Sequence, residues 1–192
     1  MIVVMGIIFC NIQVLKVVTI FGYAVTLGNV VYSSIFLATD LLCECYGRKE
    51  AQRAVLMGLF SIILFNFGMQ FTLLFTPSEY DLNHGLMAEL FQYSPRIALG
   101  SIVAYLVSQS HDVWAYDRLK KITKGKYLWI RNNYSTMVSQ TIDTAIFVSI
   151  AFYGVYEINV ILTIAYTTLL FKWATALMDT PFVYLGIKIL NN

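Results

Sequence analysis

Hydrophobic positions in this chain fall into six long blocks, residues 1–20, 28–45, 54–75, 87–110, 132–153 and 159–187. Blocks of about 18 to 25 residues match the length with which an α-helix crosses the hydrocarbon of a bilayer. The pattern predicts an all-α integral membrane protein with six transmembrane helices. Little chain is left over for a soluble domain, so residues 1–192 are expected to form a single transmembrane domain. Residues 1–20 lack a basic opening stretch and a small-residue cleavage site, so a removed signal peptide is not expected.

The fifth block departs furthest from plain apolarity. On a 100° helical wheel Asn132, Asn133, Thr136, Ser139, Gln140 and Asp143 fall within about 120° of arc, with Phe147 inside it. Val138, Ala145, Val148 and Phe152 fall opposite. Amides, hydroxyls and a carboxylate cannot face lipid, where unsatisfied polar groups are costly. This face is predicted to line a protein interior or a water-filled pocket, which makes it a candidate substrate site. Asp143 is the acid deepest in that face, and Phe147, one turn further, offers a ring against which a planar ligand can rest.

Composition agrees with the pattern: 58% of residues are hydrophobic and 12% charged, about half the charged share of soluble chains. The net charge of +2 matters less than its distribution. Arg48, Lys49 and Arg53 follow the second block; Arg118, Lys120, Lys121, Lys124, Lys126 and Arg131 follow the fourth; Lys188 lies near the C-terminus. The segment 76–86 carries Glu79 and Asp81 without Lys or Arg, and the turn after Tyr153 carries Glu157. By the positive-inside rule both basic loops and both termini are cytoplasmic. The basic loops therefore read as orientation signals rather than a nucleic-acid surface, and membrane lipid is the expected surrounding. Cys10, Cys43 and Cys45 all sit in apolar blocks. Cys43 and Cys45, two residues apart, point to different helix faces, so neither a disulfide nor a metal pair is expected.

Several charges lie where lipid-facing residues would be apolar: Lys16, Arg96 and Lys172, and Asp40, Glu44, Asp112, Asp143 and Asp179. A lone charge at mid-membrane costs about 2.5–3.5 kcal/mol even on the lenient insertion scale, so each needs a partner, a pocket or an interfacial position. Asn29, Ser33, Asp40, Glu44 and Gly47 form a stripe on the second block, and Thr168, Lys172, Thr175 and Asp179 another on the sixth. Lys172 and Asp179 are two turns apart, about 10 Å, so each is expected to meet another helix, with Asp143 or Asp40 as the partner of Lys172. Glu89, Gln92, Arg96 and Gly100 share a face near the outer end of the fourth block. Other readings stay open: Glu44, Asp112 and Arg131 as interface anchors or partners of loop bases, Asp179 as the cap of a helix kinked at Pro181, and Arg96 as a half-exposed residue at the outer surface.

Soluble-enzyme signatures are missing: there is no HExxH, no GxSxG and no Gly-rich phosphate loop. His84 and His111, the only histidines, fall on opposite sides of the membrane in this topology, so no metal site or cofactor is expected. Asn133-Tyr134-Ser135 matches a glycosylation sequon but faces the cytoplasm. No internal repeat is evident.

The run Ala38-Thr39-Asp40-Leu41-Leu42-Cys43-Glu44-Cys45-Tyr46-Gly47-Arg48-Lys49 resembles a T-D-x-x-x-E-x-Y-G-K/R-K box. Asp112-Val113-Trp114, Arg118-Leu119-Lys120 and Leu128-Trp129-x-Arg131-Asn132-Asn133-x-Ser135-Thr136 resemble a second signature, completed by Gln140, Asp143-Thr144 and Asp179-Thr180-Pro181. Together they mark the queuosine precursor transporters, also called the vitamin uptake transporter family, and the likeness runs from about Asn11 to Leu190. Cys43 and Cys45 stand where Ser or Asn and a Val-like residue are commoner. The resemblance implies a six-helix fold similar to the substrate-binding subunits of energy-coupling-factor vitamin importers, in the cell inner membrane. It further implies import of 7-deazaguanine bases, such as 7-cyano- or 7-aminomethyl-7-deazaguanine or queuine, for tRNA modification. The residue types suit such a base. Carboxylates at Asp143, Glu44 or Asp40 can accept from its N–H edge, and Asn132, Asn133 and Gln140 can serve its carbonyl and ring nitrogens.

The leading expectation is a stand-alone transporter rather than an enzyme, with Asp143, Gln140, Asn132, Asn133, Asp40, Glu44, Lys172, Asp179, Thr136, Phe147 and Arg96 as substrate-binding candidates. A homo-oligomer is compatible with the sequence. The first alternative is a vitamin-binding subunit that works only with a separate ATP-driven energy-coupling module; Gly6 and Cys10 supply only one weak small-xxx-small pair for docking it. A second alternative, an integral membrane enzyme or assembly factor, lacks a nucleophile–base pair.

Overall fold

The computed structural model describes residues 1–13, 16–20, 23–26, 28–91 and 95–190. In chain order these form α1 (Ile2–Gln13), β1 (Val17–Ile20), β2 (Tyr23–Thr26), α2 (Gly28–Tyr46), α3 (Arg48–Leu73), α4 (His84–Phe91), α5 (Pro95–Ile122), α6 (Leu128–Phe152) and α7 (Ile158–Leu190). The first apolar block is not one helix. α1 has 12 residues, about 18 Å, and the β-branched run Val17–Ile20 instead pairs antiparallel with Tyr23–Thr26. The expected all-α architecture is thus helical apart from one hairpin.

The fourth block also divides. Glu89 lies on the 8-residue α4, whereas Arg96 and Gly100 lie on α5, so the face expected to join them is broken; Gln92 lies outside the described residues. Pro95 occupies the first position of α5, where its missing N–H is harmless. α5 then runs 28 residues to Ile122, well past the end of its apolar block. His111 and Asp112 are therefore interior helix positions rather than loop residues. Asn29 falls on α2, but its side chain lies outside the description, and Gly47 lies beyond the end of α2 rather than on its stripe.

Gly47 alone separates α2 from α3, at φ 87° and ψ 168°. Only a residue without Cβ adopts that backbone readily, so the chain reverses there in a single step.

α5 and α6 form an antiparallel hairpin joined through positive-φ Lys124, Gly125 and Tyr127. Small residues bring the two together: a Cβ at Gly100 would stand 3.4 Å from Ile150 and 3.5 Å from the Phe147 carbonyl oxygen. α6 packs on α7, and α2 lies against α1, α3, α5 and α7. Between α1, α2, α3 and α5 the interior is apolar, built from Val3, Ile7, Ile35, Val55, Ile62, Tyr105 and Val113. On the side of α2 towards α6 and α7 it is polar.

Among the described residues, two helices are long and apolar enough by themselves to cross a membrane, Arg48–Leu73 and Ile158–Ile189, with mean hydropathies of 1.8 and 1.5. Both turn large apolar side chains outward, including Phe60, Phe67 and Phe71 on α3 and Tyr166, Leu170 and Met178 on α7. α2, α5 and α6 carry many of their polar residues into the bundle instead, which lowers their mean hydropathy.

Candidate substrate site

α6 supplies the spine of a buried polar column. Arg131, Asn132, Ser135, Thr136, Ser139, Gln140, Asp143 and Thr144 are all buried along it. From Arg131 to Asp143 the column covers about 18 Å. Its buried face is wider than the expected arc, since Arg131, Ser135 and Thr144 join it, as does Val148 from the side expected to be opposite. The cause is that α6 packs against helices on both flanks.

At one end of the column Glu44 on α2 and Arg131 form a bidentate pair. Arg131 Nη2 donates to Glu44 Oε1 at 2.8 Å and Nε to Oε2 at 3.2 Å. Arg131 Nη1 also donates to the carbonyls of Gly125 and Lys126, at 3.0 and 2.9 Å, and so holds the α5–α6 turn. The Tyr116 hydroxyl and the Lys120 ammonium complete the shell around Glu44. Of the readings left open for Glu44, partnership with bases of the basic segment is the one the geometry displays, Arg131 being the chief of them. Planar guanidinium and carboxylate fit as a fork, which explains Arg rather than Lys at this position.

At the other end lies the ion pair anticipated for Lys172. Its Nζ stands 2.7 Å from Asp143 Oδ2, with both side chains 7% exposed. The same ammonium donates to the Thr144 hydroxyl at 3.3 Å and lies 5.1 Å from the centre of the Tyr32 ring. Asp143 Oδ1 accepts from the Tyr32 hydroxyl at 2.8 Å and from Ser108 at 3.0 Å. Both oxygens of Asp143 are thus occupied by protein groups from α2, α5 and α7. Ser33 on α2 and Thr175 on α7 meet at 2.7 Å beside this pair.

Between the two ends the accounting changes. Thr136 donates to Asp40 Oδ2 at 3.3 Å, Thr39 to Gln109 Oε1 at 3.3 Å, and His111 Nδ1 lies 2.9 Å from Ser139 Oγ. Asp112, fully buried, lies beside Asp40, Ser135 and Ser139. Yet no hydrogen bond of ordinary length reaches either oxygen of Asp112, Asp40 Oδ1, Gln109 Nε2, or either amide atom of Gln140 among the described residues. Among the described residues no cation touches Asp112, so the reading of it as the partner of a loop base is not the one the geometry displays. Enclosing such groups unsatisfied costs about 1–3 kcal/mol for each neutral one and more for a carboxylate, so something other than stability retains them.

The remaining sequence candidates lie apart from this middle zone. Asn133 is half-buried and exchanges hydrogen bonds with Thr180 on α7, at 2.9 and 3.1 Å. Arg96 is exposed and donates to the carbonyls of Ile150 and Tyr153, closing the C-terminal end of α6. Phe147 packs edge-on against Phe152 with ring centres 5.7 Å apart. Asp179 is half-buried, without a hydrogen bond or ion pair among the described residues. An open apolar groove of about 330 Å³, lined by Ile8, Ser61, Leu64, Phe65, Gly68 and Met69, contains none of the candidates.

Sequence reading overlooked Tyr32, Ser108 and Gln109, and misjudged the depth of Asp112. The available signal was the spacing Gly100, Ala104, Ser108, Asp112, Ala115, a small or polar position every three or four residues along one α5 face.

A family model described as "Putative vitamin uptake transporter" matches residues 26–186, which include the whole column. The chain belongs to that family. A "Probable queuosine precursor transporter" of Bacillus subtilis (strain 168) is 43% identical over 183 residues, 95% of this chain and 80% of the relative. A protein of the same description from Haemophilus influenzae is 31% identical over 134 residues, 69% of this chain and 54% of the relative. The "Queuosine precursor transporter" of Escherichia coli (strain K12) is 29% identical over 136 residues, 71% of this chain and 59% of the relative. No solved structure matches the chain. Within this member of the family the family-like boxes have distinct physical tasks. Glu44 and Arg131 tie three helices together, Gly47 permits the α2–α3 reversal, and Asp40, Asp112 and Gln140 lie in the under-bonded middle of the column.

Proposed function

We propose that this vitamin uptake transporter imports queuosine precursors, 7-deazaguanine bases such as 7-cyano- or 7-aminomethyl-7-deazaguanine or queuine, across the cytoplasmic membrane for tRNA modification. The names of its relatives support the substrate class. The observation that carries the reading is the polar column itself: a membrane-type bundle with apolar exteriors on α3 and α7 encloses amides, hydroxyls and carboxylates with unmade bonds. A polar planar base needs such a lining to leave water.

In this reading α1, α2, α3, α5, α6 and α7 make six crossings of one transmembrane domain, α1 being the shortest. The Glu44–Arg131 end, with its neighbouring Arg48, Lys49, Lys120, Lys121 and Lys124, is cytoplasmic, together with both termini. In this reading the chain works without an energy-coupling module.

The test is uptake of labelled 7-cyano-7-deazaguanine into cells that lack its synthesis, followed by exchange in liposomes holding this protein alone. Exchange by the purified protein is expected. No uptake in the cells would overturn the substrate assignment, and activity only after co-reconstitution with an ATP-driven module would overturn the stand-alone mechanism.

A further inference from the structure

Four side chains in the middle of the column hold the unmade hydrogen bonds: Gln140 through Oε1 and Nε2, Gln109 through Nε2, Asp112 through both oxygens and Asp40 through Oδ1. They come from α2, α5 and α6, and none is more than 1% exposed. Their neighbours bring them together. Thr39, which donates to Gln109, precedes Asp40 in sequence; Thr136, which donates to Asp40, stands one turn from Gln140 on the same face of α6; and Asp112 lies beside Asp40. Asp143, by contrast, already accepts from Tyr32 and Ser108 on Oδ1 and holds Lys172 on Oδ2, so neither of its oxygens is unmet.

We propose that Gln140, Gln109, Asp40 and Asp112, rather than Asp143, read the amide edge of a guanine-type base. This rests on the import reading above. Such an edge presents a ring N–H and an exocyclic 2-amino group side by side, next to a carbonyl. Asp112, which Asp40, Ser135 and Ser139 flank without a bond of ordinary length, offers its two oxygens to the paired donors, the arrangement in which a carboxylate binds most strongly. Gln140 or Gln109 donates its amide N–H to the carbonyl, and Asp40 Oδ1 accepts the second amino hydrogen. A base without the 2-amino group leaves a buried carboxylate oxygen unmet, so the site discriminates against it. The groups are enclosed, so a base reaches them in a conformation that opens the column, as alternating access at a mid-membrane site requires.

The experiment measures binding of 7-cyano-7-deazaguanine, and of its analogue lacking the 2-amino group, to the purified full chain, together with the ligand-free melting temperature. Gln140→Met keeps the volume and removes two unmet polar atoms. It should leave the melting temperature unchanged or higher while affinity for the guanine-type base falls at least tenfold; a packing role would lower the melting temperature and spare binding. Asp112→Asn is the second variant. Wild type should prefer the 2-amino base at least tenfold, and this variant, which keeps only the Asp40 contact to the amino group, should prefer it several-fold less than wild type does. Unchanged affinity in Gln140→Met, or an undiminished preference in Asp112→Asn, overturns this site alone. A wild-type protein that binds neither base overturns the import reading and the site with it.

Discussion

Both oxygens of Asp143 are held by side chains from three other helices, and this changes what its substitution should do. Read from the sequence, Asp143→Asn should disturb binding and leave folding almost intact, because a neutral amide is cheaper in a membrane than a carboxylate. In the folded protein the same change strands the Lys172 ammonium 2.7 Å from a group that no longer carries a charge. Breaking a buried ion pair from one side typically costs about 3–5 kcal/mol, whereas removing both charges together is often close to neutral. Asp143→Asn and Lys172→Met should each lower the melting temperature of the purified protein markedly, and the double variant should regain most of the loss. Additive losses in thermal unfolding would show that the two charges do not depend on each other. The sequence made the pairing legible through depth and charge sign. It could not show that Tyr32 and Ser108 would take the remaining lone pairs, because those contacts join residues 111 and 35 positions apart.

Among the elements, the α2–α3 reversal shows a single residue deciding a connection. Gly47 has nothing within 4 Å of a built Cβ, so space is not what requires glycine there. The backbone at φ 87° and ψ 168° is the requirement, and a side chain in that region costs about 1–3 kcal/mol. Gly47→Ala should therefore destabilise the protein by that amount and loosen the Glu44 end of the column, which lies three residues away. Gly68→Ala, also in open space but within the regular α3 helix, should be neutral or slightly stabilising. Comparable melting temperatures for the two variants would remove the backbone argument. The same scale explains the misread helices. Apolarity marks where a segment meets lipid, whereas helix ends are set by hydrogen bonding, so α5 continues to Ile122 after its hydrophobic block stops.

For the whole molecule, the ends of the bundle differ chemically. Glu44, Lys120, Arg131 and the α5–α6 turn gather at one end, and Arg96 with the α6–α7 connection at the other. Cysteines placed at Ser78, in the acidic connection before α4, and at Lys124 in the basic turn should react with impermeant reagents from opposite sides of the membrane. Labelling of both from one side would overturn the six-crossing topology.

The sequence by itself determined the class of this protein, which of its connections are basic and which acidic, and which helix faces carry polar groups. These are local properties: residue type, spacing along a helix and charge order need no knowledge of neighbours. The partition of those polar residues into tasks was decided by tertiary structure. Glu44 and Asp143 read alike as candidate acceptors, yet one is clamped by Arg131 and the other by Lys172, while Asp112, placed at an interface by hydropathy, is enclosed without a partner cation. Whether a buried polar atom is satisfied depends on which distant side chain the packing of α2, α5, α6 and α7 brings against it, and no periodicity within one helix carries that information.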